Sequence, residues 1–190
     1  MTDLNFEDTR MLDVVNESDE VIDSKSRLDV HRLGLLHREI HVWMFDKENN
    51  IFFQNRGLSV FRPGLLDATV GGHLNKGEDY IEAAIRETKE ETGIIIGSDD
   101  LVFLKKLRGI LSPSKDYLWD DTNKFLRAVY VYKNPINERQ LQKEVGIPGV
   151  SFKKLSPSVL KQMSKENIEM FDDFPLHNEL PLVLKYLKEE

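Results

Sequence analysis

The sequence predicts an α/β fold, an α/β/α sandwich around a mixed β-sheet, and three observations support this prediction. Short runs rich in β-branched and aromatic residues lie on both sides of one amphipathic helical segment, residues 79–92. Two further helical segments follow near the end of the chain. Strands around a central helix, with helices at the end, are typical of layered α/β domains.

The N-terminal half predicts two β-hairpins and a short strand. The runs MLDVV and EVID flank the polar turn NESD, and residues 39–45 and 51–55 flank DKENN. Apolar runs separated by a few polar turn residues are typical of antiparallel hairpins. The segment FRPGLLDATVGG then predicts a loop, a short strand and two glycines.

The C-terminal half predicts three strands and two helices. Residues 101–111 and 125–132 and the run GVSFKKL have the composition of strands. Ser156 as N-cap, with Pro157 in the first helical position, predicts the start of a helix. The last helix has an apolar face at helical spacing: Leu180, Val183, Leu184 and Leu187.

Length and charge limit the classes of function. The chain has 190 residues and no break in composition, which predicts one domain, over residues 11–190. Residues 1–10 are expected to form a flexible tail. Its formal charge of -7 offers no basic stripe, which argues against a stable nucleic acid partner. The chain has no cysteine, which excludes disulfides, thiolate metal sites and a cysteine nucleophile.

The N-terminal residues are acidic and contain no apolar segment, unlike a signal peptide. No run approaches the roughly 18 to 20 apolar residues that a membrane span needs. We therefore expect a cytoplasmic protein that does not interact with membranes. The oligomeric state is open, with a homodimer among the alternatives.

The helical segment 79–92 concentrates negative charge. Glu87, Glu90 and Glu91 are three or four residues apart or adjacent, so they are expected on one side, roughly 120° from the apolar face. Each like-charged pair costs about 0.2–0.5 kcal/mol, a penalty that a divalent cation would remove. The alternative is a solvated acidic face. The apolar face comprises Ile81, Ala84, Ile85 and Thr88.

Clustered carboxylates suit Mg²⁺ or Mn²⁺, which keep open positions for substrate phosphate oxygens. A cation of this kind also offsets the repulsion between a phosphate ligand and an acidic protein. The expected chemistry is metal-assisted attack of water on a phosphoanhydride. Gly71 and Gly72 lack side chains, so their backbone groups can approach the metal or ligand closely.

The segment resembles the signature box of the Nudix hydrolases, Gly-x5-Glu-x7-Arg-Glu-U-x-Glu-Glu-x-Gly-U, where U is aliphatic. The only departure is Thr88, at an aliphatic position on the packing face, where we expect it to affect the core more than the metal site. The resemblance implies a Nudix-type fold and Mg²⁺- or Mn²⁺-dependent hydrolysis of a nucleoside diphosphate derivative or another organic pyrophosphate. The matching residues are Gly72, Glu78, Arg86, Glu87, Glu90, Glu91, Gly93 and Ile94.

The resemblance also implies roles for single residues. Its implied metal ligands are three carboxylates and a backbone carbonyl, from Glu87, Glu90, Glu91 and Gly71. The general base is left open among Glu87, Glu90 and Glu144, and a solvated loop residue is the alternative for Glu144. The residues implied to support the site are Gly72, Glu78, Arg86 and Gly93.

Three residues outside the box are candidates for substrate binding. Tyr117 and Trp119 lie in a polar loop and could stack on a base, although packing over the sheet is the alternative. Arg56 could bind a phosphate or merely end its strand. The substrate itself is open.

Beyond the box, LDVVNESDEVI, HRLGLLHREIHVWMF and FRPGLLDATVGGH resemble the Nudix branch related to isopentenyl diphosphate isomerase, over residues 11–188. That isomerase holds a metal with histidines, and His31, His37 and His73 fall near the matching positions. Whether they form a second metal site is open. Gly71 stands where the isomerase has a cysteine, so isomerisation is the weaker alternative. A non-catalytic ligand-binding or regulatory module is another, although it has no need of three mutually repelling carboxylates.

Overall fold

The protein is described from a computed structural model, which covers residues 9–57, 63–111, 122–143, 148–164 and 168–189. The strands are β1 Met11–Val15, β2 Val21–Ser26, β3 Leu36–Phe45, β4 Ile51–Asn55, β5 Leu66–Asp67, β6 Val70–His73, β7 Leu101–Leu111, β8 Asn123–Tyr132 and β9 Ser151–Leu155. The helices are α1 Arg27–Arg32, α2 Tyr80–Thr92, α3 Pro157–Lys161 and α4 Leu180–Glu189.

Both predicted hairpins are confirmed. Strands β1 and β2 pair antiparallel, and the C-terminal end of β3 pairs antiparallel with β4. In each hairpin a carboxylate or amide side chain organises the turn. Asn16 accepts hydrogen bonds from two backbone N–H groups of its turn, and Asp46 does the same in the other turn.

Strand β3 is the centre of the sheet. It pairs antiparallel with β6 and with one residue of β1, and parallel with β8, while β7 continues the sheet beyond β8. Strand β4 carries β5 and β9. Because parallel and antiparallel pairs occur together, the sheet is mixed, as predicted.

Alternate residues of β3 face two different layers. Ile40 and Met44 pack with Ala84 of α2 in one core cluster. Trp43 points to the opposite face and packs with Val183 of α4 in the other. The period of two along a strand thus separates two apolar cores, and the predicted α/β/α sandwich is confirmed.

Helix α1 was not predicted. It spans Arg27–Arg32, and its start is capped by Ser26, whose side chain accepts a hydrogen bond from the backbone N–H of Asp29. A six-residue helix with one buried side chain, Val30, is too short to show an apolar period. This helix matters for the site because it carries His31.

Residues 1–8 of the predicted tail lie outside the described residues. Arg10 is described, and its carbonyl accepts a hydrogen bond from Arg27 N at 2.8 Å. Among the helices of the described segments, none is both long enough and apolar enough to cross a membrane.

Helix α2 begins and ends where the sequence predicts. Asp79 caps its start in a reciprocal capping box with Glu82. Gly93 ends it in the left-handed conformation, with φ of 73°, and its N–H donates to the carbonyl of Lys89. These two ends fix which turns of the helix lie over β6.

We expect Gly93→Ala to lower the free energy of unfolding by about 1–2 kcal/mol, because a Cβ is strained in the left-handed region. The added Cβ would also lie 2.6 Å from Gln142 Cδ. The control is Gly97→Ala, since Gly97 has φ of -109° and its Cβ would lie 3.7 Å from the nearest atom. Urea denaturation of both variants measures the difference, and equal losses would contradict the cap assignment.

Candidate functional site

Helix α2 lies against β6 at the point where that strand has no side chain. A Cβ at Gly72 would lie 2.1 Å from Glu87 Cδ, so only glycine leaves room for this carboxylate. Glu87 is therefore buried between helix and strand, with an exposed fraction of 6%. The glycine gives the carboxylate a place in the interior.

The predicted division of α2 into an apolar face and a separate acidic face is wrong. Glu87 and Glu91 are buried, and Glu90 is the carboxylate of the three that points to solvent. Ile81 and Ile85 are only half-buried. The reason is the side-chain-free surface at Gly72, which lets the helix turn two carboxylates towards the sheet. The buried residues of α2 are Ala83, Ala84, Glu87, Thr88, Glu91 and Thr92.

Glu91 is held by two donors from neighbouring strands. Its Oε2 accepts a hydrogen bond from Gln54 Nε2 at 2.8 Å and one from the backbone N–H of Gly71 at 3.2 Å. The predicted close approach at Gly71 therefore involves its N–H, while its carbonyl stays a predicted metal ligand. Gln54 contributes a contact that sequence analysis missed.

Arg86 is the cation in the middle of this acidic cluster. Its guanidinium donates to Glu78 from Nε and from one terminal nitrogen, each at 2.8 Å, and to the carbonyl of His73 at 3.0 Å. The other terminal nitrogen lies 2.7 Å from Glu87 Oε1 and 3.1 Å from Glu90 Oε2. Arg86 thus reduces the repulsion between the carboxylates and ties the loop before the helix to its middle.

Glu87 has an unusual proton affinity. Burial raises its pKa to about 7, although Arg86 and Arg10 act in the opposite direction. Arg10 has a terminal nitrogen 3.8 Å from Glu87 Oε1, the oxygen that Arg86 also contacts. A buried carboxyl group with this pKa can accept or release a proton near neutral pH, or hold a cation that keeps it ionised.

Thr88 is fully buried, in agreement with its predicted place on the packing side of the helix. Its hydroxyl Oγ1 has no hydrogen-bond partner among the described residues. The departure from the aliphatic pattern therefore leaves a polar atom in the core.

The three histidines named from the sequence come together. One ring nitrogen from each of His31, His37 and His73 lies within 4.8 Å of the other two. His31 Nε2 is 3.1 Å from His73 Nε2, and the rings of His37 and His73 stack with centroids 5.1 Å apart. Burial lowers the pKa of His31 to about 3 and that of His73 well below its usual range. Both rings are therefore neutral at pH 7, the state that binds metals.

A buried ionic network that the sequence did not reveal borders the histidines. Arg127 donates to Glu39 Oε2 from Nε at 3.0 Å and from a terminal nitrogen at 2.6 Å, and its other terminal nitrogen donates to Glu179 at 2.9 Å. Glu179 also accepts from Trp43 Nε1 and lies 2.8 Å from His41 Nδ1. Burial alone would raise the pKa of Glu39, but the Arg127 charge holds it well below its usual range.

Of the other candidates from the sequence, Arg56 lies within the described residues, and Glu91 is among the carboxylates whose charge acts on its guanidinium. Arg56 forms an ion pair with Asp67 at 2.5 Å, with about a quarter of its side chain exposed. Tyr117, Trp119 and Glu144 lie outside the described residues. Their roles stay predictions.

Relatives among known proteins match a little under half of the chain. A protein of Streptomyces coelicolor named as an uncharacterised Nudix hydrolase is 39% identical over 84 residues, which are 44% of this chain and 46% of that protein. The uncharacterised Nudix hydrolase YfcD of Escherichia coli K12 is 40% identical over 87 residues, 45% of this chain and 48% of YfcD. The chain thus spans about half the length of these relatives.

A solved structure and a family model extend the match. The crystal structure of DR0079 from Deinococcus radiodurans superposes with a TM-score of 0.57 and 25% identity, over 80% of this chain and 86% of that one. The model of the NUDIX domain matches residues 35–174, which contain α2 and most of the sheet. The signature residues, the fold and this match agree, and the chain belongs to the Nudix family.

Proposed function

We propose that the chain hydrolyses a phosphoanhydride bond in a nucleoside diphosphate derivative or another organic pyrophosphate, with Mg²⁺ or Mn²⁺ as cofactor. The observation that carries this proposal is the burial of Glu87 and Glu91 on α2 against Gly71 and Gly72. Two buried carboxylates beside a surface without side chains are better placed to bind an ion than carboxylates on a solvated helix face. Membership of a family whose relatives are named hydrolases supports the same conclusion.

The residues present fit a divalent cation. Burial raises the pKa of Glu87 to about 7, so the neighbouring arginines do not fully stabilise its ionised form. A divalent cation beside the carboxylate would stabilise that form. Glu87, Glu90 and Glu91 would hold the cation, with the carbonyl of Gly71 as a further predicted ligand. When bound, such a cation neutralises phosphate charge and lowers the pKa of coordinated water.

The protein's own residues prepare the site. Gln54 and the N–H of Gly71 orient the Glu91 carboxylate before any ligand arrives. Arg86 keeps Glu90 near the helix and ties it to Glu78. Glu87, with its pKa near 7, is suited to take a proton from an attacking water, and Glu90 and Glu144 remain the other candidates for that base.

The proposal is tested by a product screen over nucleoside diphosphates and triphosphates, nucleoside diphosphate derivatives and isoprenoid diphosphates. Each compound is incubated with the full chain and Mg²⁺, Mn²⁺ or chelator, and the products are identified. We expect metal-dependent cleavage of a phosphoanhydride (P–O–P) linkage in at least one compound. Ligand binding without any product would instead support the non-catalytic module.

The weaker alternative is isomerase-like activity, and the histidine cluster is the observation that favours it. Isomerisation of an isoprenoid diphosphate needs a proton donor and acceptor placed across the substrate. Gly71 supplies no such group, and the chain has no cysteine elsewhere. Formation of an isomerised isoprenoid diphosphate in the same screen, without cleavage, would select this alternative.

A further inference from the structure

We propose that Glu39 is the fourth donor of a transition-metal centre that it forms with His31, His37 and His73, separate from the carboxylates of α2. The resemblance to the isomerase concerned the histidines. What is new is that a carboxylate completes the centre and is oriented by its own hydrogen bonds. Its charge and its oxygen donor determine which metal the centre prefers. Binding at this centre is independent of hydrolysis at Glu87 and Glu91, so the two proposals can fail separately.

The distances between donor atoms fit one ion. His31 Nε2 lies 3.1 Å from His73 Nε2, and Glu39 Oε1 lies 3.4 Å from His73 Nε2 and 3.6 Å from His37 Nε2. In a tetrahedral site with metal–ligand bonds of about 2.0–2.1 Å, neighbouring donors are about 3.3 Å apart. Three of the six donor pairs thus have nearly the spacing of a tetrahedral site, and the three histidine nitrogens lie within 4.8 Å of one another.

His37 presents a lone pair towards the centre. Its Nδ1 lies 3.1 Å from the carbonyl oxygen of Leu35, which can only accept, so Nδ1 carries the proton. In the neutral ring Nε2 is then an acceptor, and it is fully buried without a hydrogen-bond partner among the described residues. It faces Glu39 Oε1, another acceptor. Two acceptors in this position repel each other unless a metal ion or a proton lies between them.

Glu39 is oriented like a metal ligand with outer-shell support. Arg127 occupies Oε2 with two hydrogen bonds, and Asn123 Nδ2 donates to Oε1 at 2.8 Å. Oε1 retains a lone pair on the side of the histidines, because one donor does not use both. The other carboxylate on Arg127, from Glu179, balances the guanidinium charge when Glu39 binds an ion.

The donor set selects a class of metal. Three imidazole nitrogens and one carboxylate oxygen suit Zn²⁺ and related transition metals, whereas Mg²⁺ prefers oxygen ligands. His31 and His73 are partly exposed, so an ion can enter from solvent. The centre lies beside α2, because His73 directly follows Gly72 and its carbonyl binds Arg86. A transition metal here would add positive charge next to the proposed phosphate site.

The test uses the full chain, freed of metal with a chelator and titrated with Co²⁺ in excess Mg²⁺ while visible absorption is recorded. We expect one Co²⁺ ion with the intense bands of a four-coordinate site, displaced by Zn²⁺. Glu39→Gln should weaken Co²⁺ binding by more than about 100-fold and shift the bands, since groups that only support a ligand already contribute about 10- to 100-fold. Glu179→Gln is the matched control, since it changes the other carboxylate on Arg127, which the structure pairs with His41 and not with the cluster.

Thermal unfolding of both variants shows whether each is folded. If Glu39→Gln does not fold, Glu39→Asp replaces it, since it keeps the charge near Arg127 and draws the oxygen back from the histidines; the same weakening is expected. The proposal is overturned if the wild-type chain binds no Co²⁺ or Zn²⁺. It is also overturned if the Glu39 variant keeps wild-type affinity and bands, or if Glu179→Gln weakens binding equally. Loss of hydrolysis in a Glu91 variant that retains this Co²⁺ spectrum would separate the two sites.

Discussion

Glu91→Gln is expected to lower the turnover number for phosphoanhydride hydrolysis by more than about 100-fold, because even groups that only support a metal ligand contribute about 10- to 100-fold. The substitution keeps the size of the side chain and removes its charge. Gln54 and the Gly71 N–H, which now donate to Glu91 Oε2, can still donate to the amide oxygen. The fold should therefore survive, and the loss should appear in kcat for the substrate found in the product screen.

Glu90→Gln, on the same helix, compares the exposed member of the proposed ligand set with the buried Glu91. Glu90 has 54% of its side chain accessible, and its described contact is with Arg86 at 3.1 Å. We expect Glu90→Gln to lose less turnover than Glu91→Gln, because an exposed carboxylate assists the two buried ligands. Circular dichroism and thermal unfolding establish that both variants are folded. Near-normal activity of folded Glu91→Gln would remove Glu91 from the proposed metal site.

The ends of α2 could be predicted because they depend on residues close in sequence. The capping box needs only Asp79 and Glu82, and the left-handed stop needs only Gly93. The hairpins are equally local, since each turn follows directly from its flanking strands. The residue pattern of the box is also local, and it pointed to the family before any fold was known.

The burial of Glu87 and Glu91 could not be predicted in the same way. Periodicity orders the residues around a helix, but it does not say how the helix is rotated against the sheet. That rotation depends on the space above Gly72, where a Cβ would lie 2.1 Å from Glu87 Cδ. A sequence rule that places charged residues outside gives the wrong orientation here, because the exception depends on a tertiary contact.

The partnership of Glu39 with Arg127 was also hidden, because it depends on strand register. The two residues are 88 positions apart and become direct partners in the parallel pairing of β3 with β8. Neither residue stands out in its strand, because β3 also carries Arg38 and β8 also carries Lys124. The sequence alone therefore does not show which charges of the two strands become partners.

Arg127→Leu is expected to lower the free energy of unfolding by about 3–5 kcal/mol at pH 8, the cost of removing one partner of a buried ion pair. The guanidinium is buried and donates three hydrogen bonds to Glu39 and Glu179. Leucine leaves both carboxylates in the interior without their cation. Urea denaturation measures the change, which would lie below about 1 kcal/mol if the network were a solvated surface pair.

The same variant has a pH dependence with a defined sign. In the wild-type chain the pKa of Glu39 and that of Glu179 are lowered, since the cationic Arg127 and, for Glu179, His41 outweigh burial. Their stabilisation is present above the unfolded pKa of about 4.3 and is lost as the pH falls through the lower folded values. Without Arg127, burial dominates and raises the pKa of both groups.

A raised folded pKa means that the variant binds protons on folding, so its stability improves relative to wild type as the pH falls. The loss of unfolding free energy in Arg127→Leu, relative to wild type, should therefore be larger at pH 8 than at pH 5. Arg108→Leu on β7 is the control, because its ion pair with Glu17 is exposed and its loss should change stability little at either pH. An equal deficit of Arg127→Leu at both pH values would mean that Glu39 and Glu179 stay ionised without the guanidinium, which requires another cation beside them. A metal ion on Glu39 Oε1 is one such cation, so the experiment is run with and without chelator.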